Sequence, residues 1–151
     1  MKNLFEEKAA QEAIDRIHKL NPSMKPQWGK MSVAQMLAHC SVAYDFVYDE
    51  AKYPKPGGFV RFLIKLFVKD TVVGEKPYKR NSRTAPEFLI ADERDFETEK
   101  RRLIDHIIHT HKLGEDYFHN KESRSFGPLT KTEWNIMFSK HLDHHLKQFG
   151  V

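Results

Sequence analysis

The sequence predicts an all-α fold, a four-helix bundle with one additional short helix. Three observations carry this reading. Apolar residues recur at helical spacing in five segments, separated by proline and glycine clusters at 21–29, 54–58, 74–86 and 114–128. Two of the segments open with a capping box, the pattern in which a Ser or Thr and a Glu or Gln three residues on satisfy each other's backbone N–H. No alternating apolar and polar run is bounded by hairpin-type turns, so no strand is expected.

The first helix is expected from about Leu4 to Leu20, where Ala10, Ala13, Ile14, Ile17 and Leu20 share one face. The second is expected from about Val33 to Glu50, with Ser32 as its cap and Gln35 at the box position. Its stripe is Val33, Met36, Leu37, Cys40, Tyr44, Val47 and Tyr48. A short apolar helix, about Phe59 to Lys69, follows. Its face of Phe59, Phe62, Leu63, Leu66 and Phe67 reads as cover for the core, with cover by a partner subunit as the other reading. The fourth runs from about Asp92 to His111, with Phe96, Leu103, Ile104 and Ile107 inward. The last runs from about Lys131 to Gln148, with Thr130 and Glu133 as its box. Between Asp70 and Ala91 the pattern is weak, and Phe88-Leu89-Ile90 fits either a helical turn or an extended arm.

Composition excludes several classes. A chain of 151 residues reads as one domain, 1–151, and 40% hydrophobic with 30% charged residues is a globular balance. Its single cysteine, Cys40, rules out an internal disulfide and an all-cysteine metal site. Cys40 lies on the core stripe and reads as a small buried apolar residue. The start, Met1 to Glu7, carries no apolar signal region, so a cytoplasmic protein is expected. The longest apolar-rich stretch, Phe59 to Val68, contains Arg61 and Lys65 and falls well short of the roughly 20 residues that cross a bilayer. The formal charge of +4 is modest and its charges interspersed, and no recognition-helix or zinc-finger pattern is present, so neither membrane nor nucleic acid is expected as a partner.

Nine histidines are the unusual feature. On a wheel of about 100° per residue with Trp134 at zero, His141 falls near −20° and His145 near +20°, in the middle of the last helix's apolar stripe. Phe138 and Met137 flank them, whereas Lys140, Asp143 and Lys147 lie on the other side. Two imidazoles at i and i+4 project side by side and can chelate one metal ion. Aimed at a core, each needs hydrogen-bond partners; an ion satisfies one nitrogen of each and a polar neighbour the other. The plain alternative is a pair of buried histidines satisfied by neighbours or water. A third ligand has to come from another helix. His39 lies at the edge of the second helix's buried face, and His111 and His106 on the fourth helix are its rivals.

Two stretches also resemble a known family. Trp28-Gly29-Lys30-Met31-Ser32-Val33-Ala34-Gln35-Met36-Leu37-Ala38-His39 resembles the opening motif of DinB-like proteins. Phe126-Gly127-Pro128-Leu129-Thr130, with Glu133-Trp134 and His141-Leu142-Asp143-His144-His145-Leu146-Lys147-Gln148, resembles their closing one. The resemblance implies a four-helix bundle that holds a divalent metal with one histidine of the second helix and two of the last. By position these are His39, His141 and His145. His144 matches an extra histidine of that family and Gln148 a recurrent glutamine. The family includes transferases and isomerases that use low-molecular-weight thiols, and members labelled metal-dependent hydrolases.

Three neutral nitrogen ligands leave coordination positions open, the pattern of catalytic zinc. Such an ion lowers the pKa of water, polarises a carbonyl or favours a thiolate. Imidazole suits zinc and nickel first, with iron or manganese as further candidates. Leu142 occupies the slot where an HExxH helix places its glutamate, which excludes that mechanism. Asp45 and Glu50 are the remaining candidate bases. Two readings stand: a metal-dependent hydrolase or thiol transferase acting on a small molecule, or a non-catalytic metal- or ligand-binding domain. Either allows a homodimer. Arg61, Lys65 and Lys69, with Lys76, Lys79, Arg80 and Arg83 after them, read as a solvated face and loop, or as an anion site near the bundle mouth.

Overall fold

The computed structural model describes residues 2–151. It is mostly helical, with five α-helices and a small two-stranded sheet. Helix α1, Glu7–His18, buries Ala9, Ala10, Ala13, Ile14 and Ile17. Leu4 and Leu20, expected inside it, are buried in the flanking chain. There the Leu4 N–H donates to Asn135 Oδ1 at 2.9 Å, which ties the N-terminal segment to the last helix.

Helix α2, Val33–Tyr48, starts at the expected box: Ser32 Oγ accepts from the Gln35 N–H and Gln35 Oε1 from the Ser32 N–H. It is buried almost all round, on faces with His39, Ser41, Ala43 and Asp45 as well as on its apolar stripe. Its neighbours are α4, α5 and a single 3-10 turn, Pro86–Phe88, in the stretch whose conformation the sequence leaves open.

Helix α4, Phe96–Phe118, outruns its expected end at His111 and is interrupted at Gly114, where φ is 73°. Only glycine adopts that backbone without strain. The break turns Phe118 into the core, against Phe5, Trp134 and Phe138. Two short strands then form an unexpected antiparallel hairpin, β1 (Lys121–Ser123) and β2 (Gly127–Leu129), in the register Lys121↔Leu129. Three-residue strands show no alternation in the sequence, which is why the pattern misses them. Ser123 holds the turn, its Oγ accepting from the Phe126 N–H and donating to the Gly127 carbonyl.

Helix α5, Lys131–Gln148, has both halves of its expected box at Thr130 and Glu133. It packs on α2, α3 and α4. Its Trp134 and Phe138 stack with each other, and Phe138 stacks on Tyr44 of α2 at 4.7 Å between ring centres. Cys40 is buried beside Met36, as expected of a core thiol, and burial pushes its pKa well up.

Helix α3, Gly58–Val73, corrects an expectation. Its apolar face does not cover the core: Phe59, Phe62, Leu66 and Phe67 stand in solvent. The side that packs on the protein carries the cations. Arg61 pairs with Glu122 and donates to the Ser123 carbonyl, and Lys69 Nζ lies 2.7 Å from Glu133 Oε1. Lys140 of α5 closes the far end: its buried ammonium donates to the carbonyls of Thr71, Gly74 and Lys76, capping the C-terminus of α3. Of the three cations expected on a solvated face, Arg61 and Lys69 are thus docked and Lys65 is exposed. The partners of the docked pair lie some sixty residues away in sequence, where no wheel of α3 shows them.

Candidate metal centre

Two helices supply the centre. On α5 the i, i+4 spacing sets His141 and His145 side by side, and on α2 His39 faces them. The ring centres stand 4.9 Å (His39–His141), 4.5 Å (His39–His145) and 4.9 Å (His141–His145) apart. One nitrogen from each ring lies within 4.8 Å of the others, so the three can hold a metal ion. His39 is 5% exposed and His145 8%. His39 is not the edge residue of the wheel, because α2 is covered on more than its apolar stripe.

Hydrogen bonds assign two of the three tautomers. His39 Nδ1 lies 2.8 Å from the Phe88 carbonyl oxygen. A carbonyl only accepts, so the His39 proton sits on Nδ1 and the Nε2 lone pair is free. Gln148 Nε2 donates to the Trp28 carbonyl at 2.6 Å, which turns Gln148 Oε1 towards His145 Nδ1 at 2.8 Å. That proton is again on Nδ1 and the His145 Nε2 lone pair is free. Both arrangements are the outer contacts by which ligand histidines are oriented and made more basic. Nε2 of His39 and of His141 lie 2.9 Å apart. With the His39 lone pair facing it, His141 carries its proton on Nε2; ligation through that nitrogen would require the proton on Nδ1. Nitrogens at about 2.0–2.1 Å from one ion stand about 2.9–3.4 Å apart; the His39–His141 pair already has that spacing, and the set as a whole lies within 4.8 Å.

Burial keeps all three imidazoles neutral. Loss of solvation lowers the pKa of His39, places His141 well below its ordinary range and takes His145 down to about 3. The neighbouring histidines add to it in each case. Neutral imidazole is the ligating form, so no proton competes with a metal near pH 7. A stability effect follows from the same shifts. In the unfolded chain these groups titrate near 6.5, so below that pH the unfolded state binds more protons than the folded one. Stability is therefore full above pH 6.5 and is lost as pH falls towards 3. Between pH 6.5 and 5 His145 alone accounts for about 1.6 kcal/mol, and His39 and His141 act in the same direction. Urea unfolding of the metal-free protein at these two pH values checks it; an unchanged midpoint would refute it.

The other candidates lie elsewhere. His111 Nδ1 is bound to the Phe5 carbonyl at 2.9 Å. His106 is stacked on Tyr44 and bound to Asp45 Oδ1 at 3.1 Å. Asp45 is spent on His106 and Arg102. Although burial opposes it, those contacts hold its carboxyl below the usual range, so it is a structural acid rather than a base for the site. Glu50 is exposed beyond the end of α2. The sequence pattern singles out neither Phe88 nor Tyr78, which pack on His141 at 5.5 and 6.4 Å between ring centres. Both come from the loop after α3.

A cleft of about 540 Å³ adjoins the centre, lined by Trp28, Tyr78, Arg80, Asp143, His144 and Lys147 among others. The Arg80 guanidinium lies over the Trp28 ring at 4.2 Å. His144 forms the wall between, its ring 5.0 Å from that of His145. Arg80, expected in a solvated loop or at an anion site near the bundle mouth, is exposed and lines the cleft.

No curated protein and no solved structure matches this chain. The family model that does match overturns the DinB-like resemblance: its two motifs are short, whereas this match runs nearly end to end and is to a different family. Matched over residues 2–150, the chain belongs to the family described as "Protein of unknown function (DUF1569)".

Proposed function

We propose that this protein binds one divalent metal ion through Nε2 of His39, His141 and His145, and uses it to act on a small molecule by hydrolysis or by transfer of a thiol. The observation that carries the reading is the convergence of three neutral imidazoles, two of them held by Nδ1–H bonds to Phe88 and Gln148 with Nε2 turned inward. Three protein ligands leave positions for water or substrate, and such an ion supplies a metal-activated oxygen or sulfur nucleophile. Zinc and nickel suit the donor set best; iron and manganese follow. The cleft beside His144 is the route for substrate, and Arg80 and Lys147 on its rim suit an anionic one. On this reading α1, α2, α4 and α5 form a four-helix bundle, with α3 added outside it against α5. Among the described residues no free carboxylate base stands beside the histidines, which favours thiol transfer, where the ion itself would activate the nucleophile.

The burial of the histidines under Phe88 and Tyr78 favours a second reading, a non-catalytic metal site. Cobalt(II) separates the two. In the protein loaded with cobalt, an accessible open position is expected to take up 2-mercaptoethanol and add a sulfur-to-cobalt absorption band in the near ultraviolet. A cobalt spectrum that thiol, azide and acetate all leave unchanged would refute the catalytic reading and leave the second.

A further inference from the structure

Helix α3 presents its apolar side to solvent. Phe59 is 75% exposed, Phe67 73%, Leu66 61% and Phe62 60%, with Val60 and Leu63 beside them. At about 100° per residue these six fall within an arc of about 160°; Arg61 lies opposite it, and Lys69 just beyond its edge next to Phe62. Taking about 200 Å² for each aromatic side chain, the exposed fractions make a patch of about 600–700 Å². The largest apolar patch of a typical monomer is about 300–600 Å², and each partner of a standard interface contributes about 800 Å². Two such patches face to face therefore approach the size a stable dimer needs.

The patch is also complementary to itself. Asp70 lies on the same arc, three residues beyond Phe67, and its carboxylate has no cation partner among the described residues. At the other end, the N-terminus of α3 has Gly57 as its cap and no side chain that accepts its free N–H groups. In an antiparallel pair centred on Leu63, each Asp70 falls opposite residues 56–57 of the other copy, beside those N–H groups and the positive end of the helix dipole. Both copies gain the contact, as two-fold symmetry requires.

We propose that α3 pairs with α3 of a second copy, antiparallel about Leu63, to form a homodimer. A lipid surface is the competing occupant of an amphipathic helix, but it needs cations free to meet anionic headgroups. Here Arg61 and Lys69 are turned onto Glu122 and Glu133, the exposed Lys65 lies on the far side of the helix from the apolar arc, and the arc itself carries Asp70 instead.

The test is light scattering on a sizing column at about 100 µM, where an interface of micromolar affinity is saturated. The expected mass is twice the chain's 17.8 kDa. Leu66→Glu is expected to halve it with no change in helix content, because Leu66 touches solvent rather than the core. Leu63→Cys is expected to cross-link two chains on mild oxidation, which the buried Cys40 of the parent does not do. A parent protein with the mass of one chain would overturn the proposal. So would a dimer that survives Leu66→Glu and gives no cross-link through Leu63→Cys. A single chain that binds phosphatidylglycerol vesicles would also overturn it and assign the face to a lipid surface.

Discussion

Replacing His141 or His145 with alanine is expected to abolish stoichiometric metal binding. The parent protein, purified without a histidine tag and incubated with zinc, should hold close to one equivalent by elemental mass spectrometry. Each variant, and His39→Ala with them, should hold almost none, because two imidazoles do not make an ordinary site. Gln148→Leu should fall between, with affinity lowered about 10–100-fold, since it removes an orienting contact and leaves all three ligands. Stability gives an independent readout. Metal at 100 times its dissociation constant stabilises a fold by about 2.7 kcal/mol. At about 2–4 °C per kcal/mol for a chain of this size, zinc should raise the parent's Tm by about 5–10 °C. None of the three alanine variants should respond. A parent that binds neither zinc nor nickel would refute the centre and leave three desolvated histidines bonded to Phe88, Gln148 and one another.

How much of this is visible in the sequence depends on how far away each partner lies. The boxes at Ser32 and Thr130 are local, and α2 and α5 begin where they predict. The positions of His141 and His145 follow from helical geometry alone, and the structure brings them together with His39. The wheel places His39 only at an edge, because it assumes one buried face, whereas α2 lies between α4, α5 and the Phe88 turn. For α3 the periodicity is right and its polarity misleads: Glu122, Glu133 and Lys140 come from 61 to 69 residues downstream and dock Arg61, Lys69 and the C-terminal end of the helix. Gly114 reads as a helix end, yet its positive φ turns the chain for one more helical turn and buries Phe118. The end motifs mark the three histidines that the structure brings together and misname the family, since a shared histidine spacing is no record of descent.

The pairing of Asp45 with Arg102 and His106 is equally hidden in the sequence, and it supports a second large expected effect. Asp45 is 8% exposed; one carboxylate oxygen meets Arg102, and the other lies 3.1 Å from His106 Nε2. Arg102 also reaches Glu99, which Arg94 pairs in turn, so one chain of charges binds α2 to α4. Removing one partner of a buried pair costs about 3–5 kcal/mol, because the other charge is left without compensation. For Asp45→Ala we expect about 3 kcal/mol, the lower end, since Arg102 keeps a third of its side chain in water and can rehydrate. Asp45→Asn should cost less, as the amide still accepts from Arg102. Combining Asp45→Ala with Arg102→Ala should cost less than the sum of the single variants, because the second removes the charge that the first strands. Zinc stoichiometry should be unchanged throughout, which separates a structural acid from a group of the metal centre. Additive losses in urea unfolding would show that the pair does not couple; loss of zinc in Asp45→Asn would return Asp45 to the site.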